Sequence, residues 1–343
     1  MDYRKAAKDV GAGHLLPLYV CYGQEKYLMQ QFIDYVADQL IEPEYKEFAI
    51  SKFDLKETSI EAVIEDAETP PFMVPHKLIF AHNALFLTGA KDTGKADHDL
   101  DKLVEYLKAP AEYSVIIFTV DAEKLDERKT IVKKIKALDA LVPFPLLGPE
   151  ELHTWVVKAA TKAGFTFEAG AVEQLIMNIG ANLQQLSTEI EKLSLYLQNS
   201  GTATIELIDK LVARSSEQSV FMLVEEVAKL RIERAFLLLE ELLKHKEEPI
   251  KIMMLIARQF RIMLQVKELT KQGYSQSQIA SQIGLHPYAV KIAEGQARSF
   301  EAGYLTTIIA MLADLDYQMK SGQIDKVLGL ELFLMKLAEG QQR

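Results

Sequence analysis

The sequence predicts a parallel α/β domain followed by a long all-helical remainder. Three observations carry this. Short apolar runs alternate with segments of helical period as far as Leu138. Pro143, Pro145, Gly148 and Pro149 then punctuate the chain. From Glu150 onward the period is helical, and no convincing strand pattern returns.

Composition bounds the rest. At 343 residues the chain is too long for one ordinary core and accommodates two or three domains. With 49% hydrophobic and 26% charged residues it has the balance of a normal globular protein. No apolar run approaches the span of a bilayer, and residues 1–14 are polar and mixed in charge rather than a basic head before a greasy segment, so the expected location is the cytoplasm. Cys21 is the single cysteine, excludes an internal disulfide and, lying in a strand pattern, reads as a small core residue. The net charge of −10 argues against a chain that coats nucleic acid over its whole surface. Residues 1–150 hold 18 Lys/Arg against 26 Asp/Glu, whereas 251–300 hold 7 against 2, so any DNA contact is expected in the C-terminal third.

The first strand, turn and helix organise the α/β domain. Residues 18–22 are mostly apolar and run into Gly23; Leu28, Phe32, Ile33 and Val36 then recur at helical spacing. That is the frame of a nucleotide site. A phosphate loop also needs several glycines, a Lys for the phosphates and a Ser or Thr hydroxyl for magnesium. Here Gly23 stands alone, and Gln24-Glu25 brings a carboxylate where an anion would sit. Residues 48–55 and 77–87 read as strands, with a helix over 59–68 between them. In an ATPase of this frame the strand at 77–87 would end in an acidic pair that holds magnesium and activates water, yet it reads Ile79-Phe80-Ala81-His82-Asn83.

Between the helix at 59–68 and that strand lies Thr69-Pro70-Pro71-Phe72-Met73-Val74-Pro75. Three prolines forbid a regular helix, while Phe72, Met73 and Val74 put large apolar groups on the segment. The residues alone favour a turn whose Phe72 plugs the domain's own interior. The alternative is an exposed apolar tip made for a partner's pocket. Residues 89–96 nearly spell a phosphate loop, with Gly89, Gly94 and Lys95 correctly spaced, but Ala96 replaces the magnesium hydroxyl and Asp97, Asp99 and Asp101 crowd the place with negative charge. A mobile polar loop is the expectation there. The same acidic run fails as a calcium loop, because Lys102 stands where the sharp turn needs Gly and Lys108 where a bidentate Glu belongs. A helix at 99–107, a strand at 114–120 and a helix at 127–138 complete the α/β pattern; the last carries Lys129, Lys133, Lys134 and Lys136, a solvated face or a docking surface.

Four short helices over 150–213 make a compact module, a polar joint spans 214–219, and longer helices with broad apolar stripes follow as a bundle. Within it, residues 275–290 look like a helix-turn-helix. The base-reading positions hold Pro287, Tyr288 and Ala289, with Lys291 further on, which is poor equipment for reading bases, so a structural corner is expected.

Taken together these stretches resemble the delta subunit of the bacterial DNA polymerase III clamp loader, nearly end to end. The resemblance rests on Tyr22-Gly23-Gln24-Glu25 with Leu28, Pro71-Phe72 before a strand, Asn182-Leu183 with Glu189-Ile190-Glu191-Lys192-Leu193, and Arg258-Gln259-Phe260-Arg261. It continues in Ile279-Ala280, His286-Pro287-Tyr288, and Leu315-Asp316 with Lys320-Ser321-Gly322. It implies an AAA+ type (P-loop NTPase-like) α/β domain at 1–146 lacking a functional nucleotide site, an all-α lid at 147–213 and an all-α collar for oligomerisation at 214–343. It further implies a protein of DNA replication that binds the ring-shaped sliding clamp, beta, and helps open it for loading onto primed DNA. No ATP hydrolysis, cofactor or metal of its own is implied. Its collar would join the other loader subunits, tau/gamma and delta prime, with no membrane contact. By position the clamp contact falls on Pro71 and Phe72, with Met73 beside them; Pro71 stands where the family often has a bulkier apolar residue, and His76-Lys77 replaces a more usual arginine. Two rival readings are an active AAA+ ATPase, which needs one of the glycine turns to bind nucleotide, and a helix-turn-helix DNA-binding regulator, which needs 275–290 to read DNA.

Overall fold

The computed structural model describes residues 1–90 and 94–340. Its contacts divide the chain into two compact units, Met1–Leu146 and Leu147–Arg343.

The first unit runs α1 (Tyr3–Gly11), β1 (Leu18–Gly23), α2 (Lys26–Leu40), a short α3 (Lys46–Ala49), β2 (Ile50–Asp54), α4 (Ile60–Glu68), β3 (Lys77–His82), α5 (Leu100–Tyr106), β4 (Ser114–Val120), α6 (Thr130–Ala137) and β5 (Leu141–Phe144). The strands form one sheet in the order β2-β3-β4-β1-β5, every pairing parallel. Parallel pairing requires crossovers, and the helices that supply them cover both faces. On one face, Ile60, Val63 and Ile64 of α4, Leu103 of α5 and Ile131 and Ile135 of α6 pack on Leu18, Val20, Ile79, Ile116 and Phe118. On the other, α2 buries Leu28, Phe32, Ile33 and Val36, the residues whose spacing predicts it, and the Phe32 ring meets Tyr19 and Phe144 at 5.8 Å each. Cys21 is fully buried in β1, and burial pushes its thiol pKa up, so it is an inert core residue. Lys133, Lys134 and Lys136 stand on the solvated side of α6, while Lys129 donates to Phe86 O at 2.7 Å.

Several elements correct the sequence-based expectation. Residues 1–14 contain a helix, α1, which buries only Ala6 and Val10 and sets Tyr3 against Phe144, ring centroids 5.5 Å apart. The proline-marked boundary contains β5. Pro143 is tolerated there because β5 is an edge strand that pairs only with β1, so the missing N–H costs no ladder bond on the open side. The strand expected over 77–87 ends at His82; Asn83 turns to φ 62° and a single 3-10 turn, Leu85–Leu87, follows.

The second unit continues α7 (Pro149–Lys162), β6 (Thr166–Phe167), α8 (Ala171–Ile179), α9 (Leu183–Tyr196), β7 (Thr202–Ala203), α10 (Ile205–Leu211), α11 (Ser216–Ala228), α12 (Ile232–Lys244), α13 (Pro249–Lys271), α14 (Gln276–Ile283), α15 (Pro287–Ala297), α16 (Ala302–Lys320) and α17 (Lys326–Gly340). Contrary to the expectation of helices alone, β6 and β7 pair in parallel. Two residues apiece are too short to leave a period in sequence. The supposed polar joint at 214–219 is mostly the first turn of α11, capped by Ser215, whose hydroxyl accepts from Gln218 N–H at 3.2 Å. Residues of α11, α12, α13, α16 and α17 share one core that includes Leu223, Ile256, Phe260, Leu312 and Leu334.

Candidate functional site

The β1–α2 turn has the nucleotide frame but is closed by its own chain. Gly23 adopts φ 134°, and a Cβ there would lie 2.1 Å from Phe144 O, so glycine serves the close passage of β5. Glu25 N–H donates to that same carbonyl at 3.0 Å, which occupies an amide a phosphate would need. The Glu25 side chain is buried at the start of α2; desolvation raises its pKa to about 7, against a hydrogen bond from Tyr27 N–H that favours the carboxylate. Lys26, the next residue, is paired with Asp121 at 2.7 Å.

At the end of β3, His82 Nδ1 lies 3.0 Å from Thr119 Oγ1, and burial lowers its pKa. Asn83 donates to Asp54 at 2.8 Å. Neither residue supplies the carboxylate pair that magnesium-assisted hydrolysis requires. Of the other glycine turn, residues 91–93 lie outside the described residues; next to them Lys95 N–H donates to Lys56 O at 2.7 Å. The residues of the β1–α2 turn and of the end of β3 therefore do not fit magnesium-nucleotide.

The Pro70–Pro75 segment is built differently. Phe72 is 79% exposed and Met73 76%, with Pro71 and Val74 half-buried. This overturns the reading of Phe72 as a plug of its own domain. Prolines restrict the backbone on both sides, and Met73 takes φ 62°, a left-handed conformation that a non-glycine residue holds only when its surroundings impose it. The base of the segment is held at the C-terminal end of α4. Lys77, buried at the start of β3, donates to Asp66 O at 2.6 Å, Asp66 Oδ1 at 2.9 Å and Thr69 O at 3.4 Å. Tyr113 donates to Glu68 O at 2.6 Å and Ser114 to Ala67 O at 2.7 Å. Three side chains at the entry to β3 and β4 thus satisfy carbonyls that a helix end leaves open, and the Lys charge suits the negative end of the helix dipole. The tip leaves from a braced base.

The helix-turn-helix is a packed corner. Ile279, Ala280, Val290 and Ala293 join Val266 and Leu269 in a small core against α13. Gly284 makes the turn at φ 67°, and His286 caps α15, its Nδ1 accepting from Tyr288 N–H at 3.1 Å. Burial pushes the His286 pKa down to about 4 and raises that of Tyr288. His286 and Tyr288 line a cleft of about 660 Å³ with Asn182, Gln185, Ser215 and Arg258. Five residues of the sequence resemblance, Asn182, Arg258, Gln259, His286 and Tyr288, meet there from three separated segments of the chain, a convergence that no local pattern announces. In the basic stretch at 251–300, Lys251, Arg258 and Arg298 are held in ion pairs by Glu247, Glu217 and Glu294.

Comparison with known proteins agrees with this architecture. The family described as "DNA polymerase III, delta subunit" matches residues 19–144, and "DNA polymerase III delta subunit, C-terminal domain" matches 217–337. The DNA polymerase III subunit delta of Bacillus subtilis (strain 168) is 38% identical over 336 residues, covering 98% of this chain and 97% of the relative. A probable DNA polymerase III subunit delta of Aquifex aeolicus (strain VF5) is 22% identical over 282 residues, 78% of this chain and 75% of that one. The solved structure of the Bacillus subtilis DNA clamp loader delta protein superposes with a TM-score of 0.83, over 98% of this chain and 99% of that chain. With a parallel α/β unit, a mainly helical remainder, and a relative of this identity matched over nearly its whole length, the chain belongs to the DNA polymerase III delta subunit family.

Proposed function

We propose that this chain works as the wrench of a clamp loader: it binds the ring-shaped sliding clamp through Pro71, Phe72 and Met73 and helps open one interface of the ring for loading onto primed DNA. The observation that carries this is the Phe72–Met73 tip, solvent-exposed between flanking prolines and set on a helix end braced by Lys77, Tyr113 and Ser114. A large apolar side chain held in solvent at a preorganised position is what an interface anchor needs, because little ordering entropy remains to be lost on binding. ATP binding and hydrolysis fall to other subunits, in keeping with a β1–α2 turn and a β3 end whose residues do not fit magnesium-nucleotide. In this reading residues 147–213 act as a lid and 214–343 as a collar that assembles with tau/gamma and delta prime, in the cytoplasm. No helix among the described residues is long and apolar enough to cross a membrane.

Phe72→Ala tests the reading. The expected loss of clamp affinity is about 2 to 4 kcal/mol, roughly thirty-fold to nearly a thousand-fold. Because the ring is 79% exposed, the melting temperature should stay at the wild-type value. Wild-type clamp affinity in the variant would end the assignment of this residue.

A further inference from the structure

The tip is not the only large apolar group that the first unit leaves in water. Phe48 is 78% exposed, whereas the other exposed large hydrophobics of that unit, Tyr35 and Leu138, reach only 36% and 38%. Phe48 lies on α3, directly before edge strand β2, and its neighbour Ala49 is 1% exposed and makes the inward contact. The ring itself is not needed to seat the helix.

The sheet register brings Phe48 and the tip to one end of the molecule's first unit. β2 and β3 are parallel with Ile50 opposite Leu78, and β3 and β4 with Lys77 opposite Ser114. The chain therefore enters β2 and β3 at the same end of the sheet. Phe48 stands just ahead of Ile50, and Met73 a few residues ahead of Leu78. Neighbouring strands lie about 4.8 Å apart. Lys77 also holds Asp66 and Thr69 at this end, so the base of the tip cannot swing away. Phe48, Phe72 and Met73 thus share a region that a standard interface of about 800 Å² per partner can cover. Single exposed hydrophobics are ordinary; three of this size gathered at one sheet end mark an interaction surface.

The charge around them says what fits. Glu42, Glu44 and Glu47 on the approach to β2, and Glu65 and Glu68 at the end of α4, are all exposed, and Lys46 among them is already paired with Asp38. An apolar centre with an acidic rim calls for an apolar pocket with a basic rim. We propose that Phe48 is a second anchor of the contact made by Phe72 and Met73, and that the surface they form together docks a folded protein whose apolar pocket is bordered by Lys and Arg. This rests on the function proposed above, which makes that protein the sliding clamp.

The full-length chain and the purified clamp decide the matter. Phe48→Ala should weaken binding by about tenfold or more with unchanged melting, in the range of a lesser hot spot. The double change Glu44→Lys with Glu47→Lys should also weaken it and reduce the fall of affinity with salt. Since Cys21 is buried, Phe48→Cys offers a thiol that an environment-sensitive fluorophore can reach, and its emission should shift to the blue when clamp is added. Wild-type affinity in Phe48→Ala, or a label at residue 48 that ignores the clamp, overturns the second anchor even if Phe72→Ala loses binding, in which case the proposed function stands alone. If Phe72→Ala also binds normally, both fall together.

Discussion

At the scale of single residues, the emptied turn is a packed structure rather than a gap. Gly23 is held by the passage of Phe144, and Glu25 is a carboxyl group buried at a helix start with its pKa raised to about 7. The consequence for stability has a definite sign. A folded-state pKa above the ordinary glutamate value of 4.5 means that the native state binds the proton more tightly, so Glu25 favours folding at low pH. That advantage is lost as pH rises from about 4.5 to about 7, beyond which the buried charge is a net cost. Glu25→Gln keeps an acceptor for Tyr27 N–H and removes the charge. Urea midpoints should therefore show the variant more stable than wild type by about 1–2 kcal/mol at pH 8, after allowance for solvent screening, with the gap closing at pH 5. An equal gap at both values would contradict a titrating Glu25.

At the scale of elements, α4 and its brace matter most. The last turn of α4 spends its open carbonyls on Lys77, Tyr113 and Ser114, and the tip begins at once with Pro70. Lys77→Met should leave the Asp66 carboxylate without its cation and the Asp66 and Thr69 carbonyls short of a donor. A stability loss of about 2–4 kcal/mol follows, read from thermal or urea unfolding. Amide exchange should quicken in the last turn of α4 before it does in β3. Under the proposed function, clamp affinity should fall as well, by about tenfold, and less than for Phe72→Ala, because the anchor survives and only its ordering cost grows. Unchanged exchange in α4 would show that the brace holds nothing.

At the scale of the whole molecule, two separated places in the parallel sheet carry residues that do not suit magnesium-nucleotide: the β1–α2 turn, where Gly23 and Glu25 close on Phe144, and the end of β3, where His82 and Asn83 stand. Calorimetric titration of the full chain with magnesium-ATP should give no saturable heat. A saturable isotherm that disappears on changing Lys95, the lysine of the second glycine turn, would restore the ATPase reading. The family places the chain as a delta subunit of DNA polymerase III, a role distinct from that of the catalytic polymerase subunit.

What the sequence by itself determined is what depends on local period and on residue identity. Leu28, Phe32, Ile33 and Val36 lie on one helical face wherever that helix goes, and all are buried as their spacing requires. The want of a magnesium hydroxyl or a carboxylate pair is likewise a matter of which residues are present. The tertiary structure decided whatever depends on distant neighbours. Residues 1–14 look polar, and α1 is too short to be stable alone; it forms because α2 and β5 give it somewhere to pack, with Tyr3 against Phe144. Pro143 reads as punctuation until β1 supplies a partner for one side of β5. Phe72 could have pointed inward or outward from the same heptapeptide. Its exposure was set by α4, whose end is tied to β3 and β4 by residues the tip does not contain, and by a sheet interior already filled by other side chains. Period is written along the chain, but burial is a property of the surfaces that meet, so the proline-flanked apolar segment could be picked out in the sequence while its outward direction had to wait for the fold.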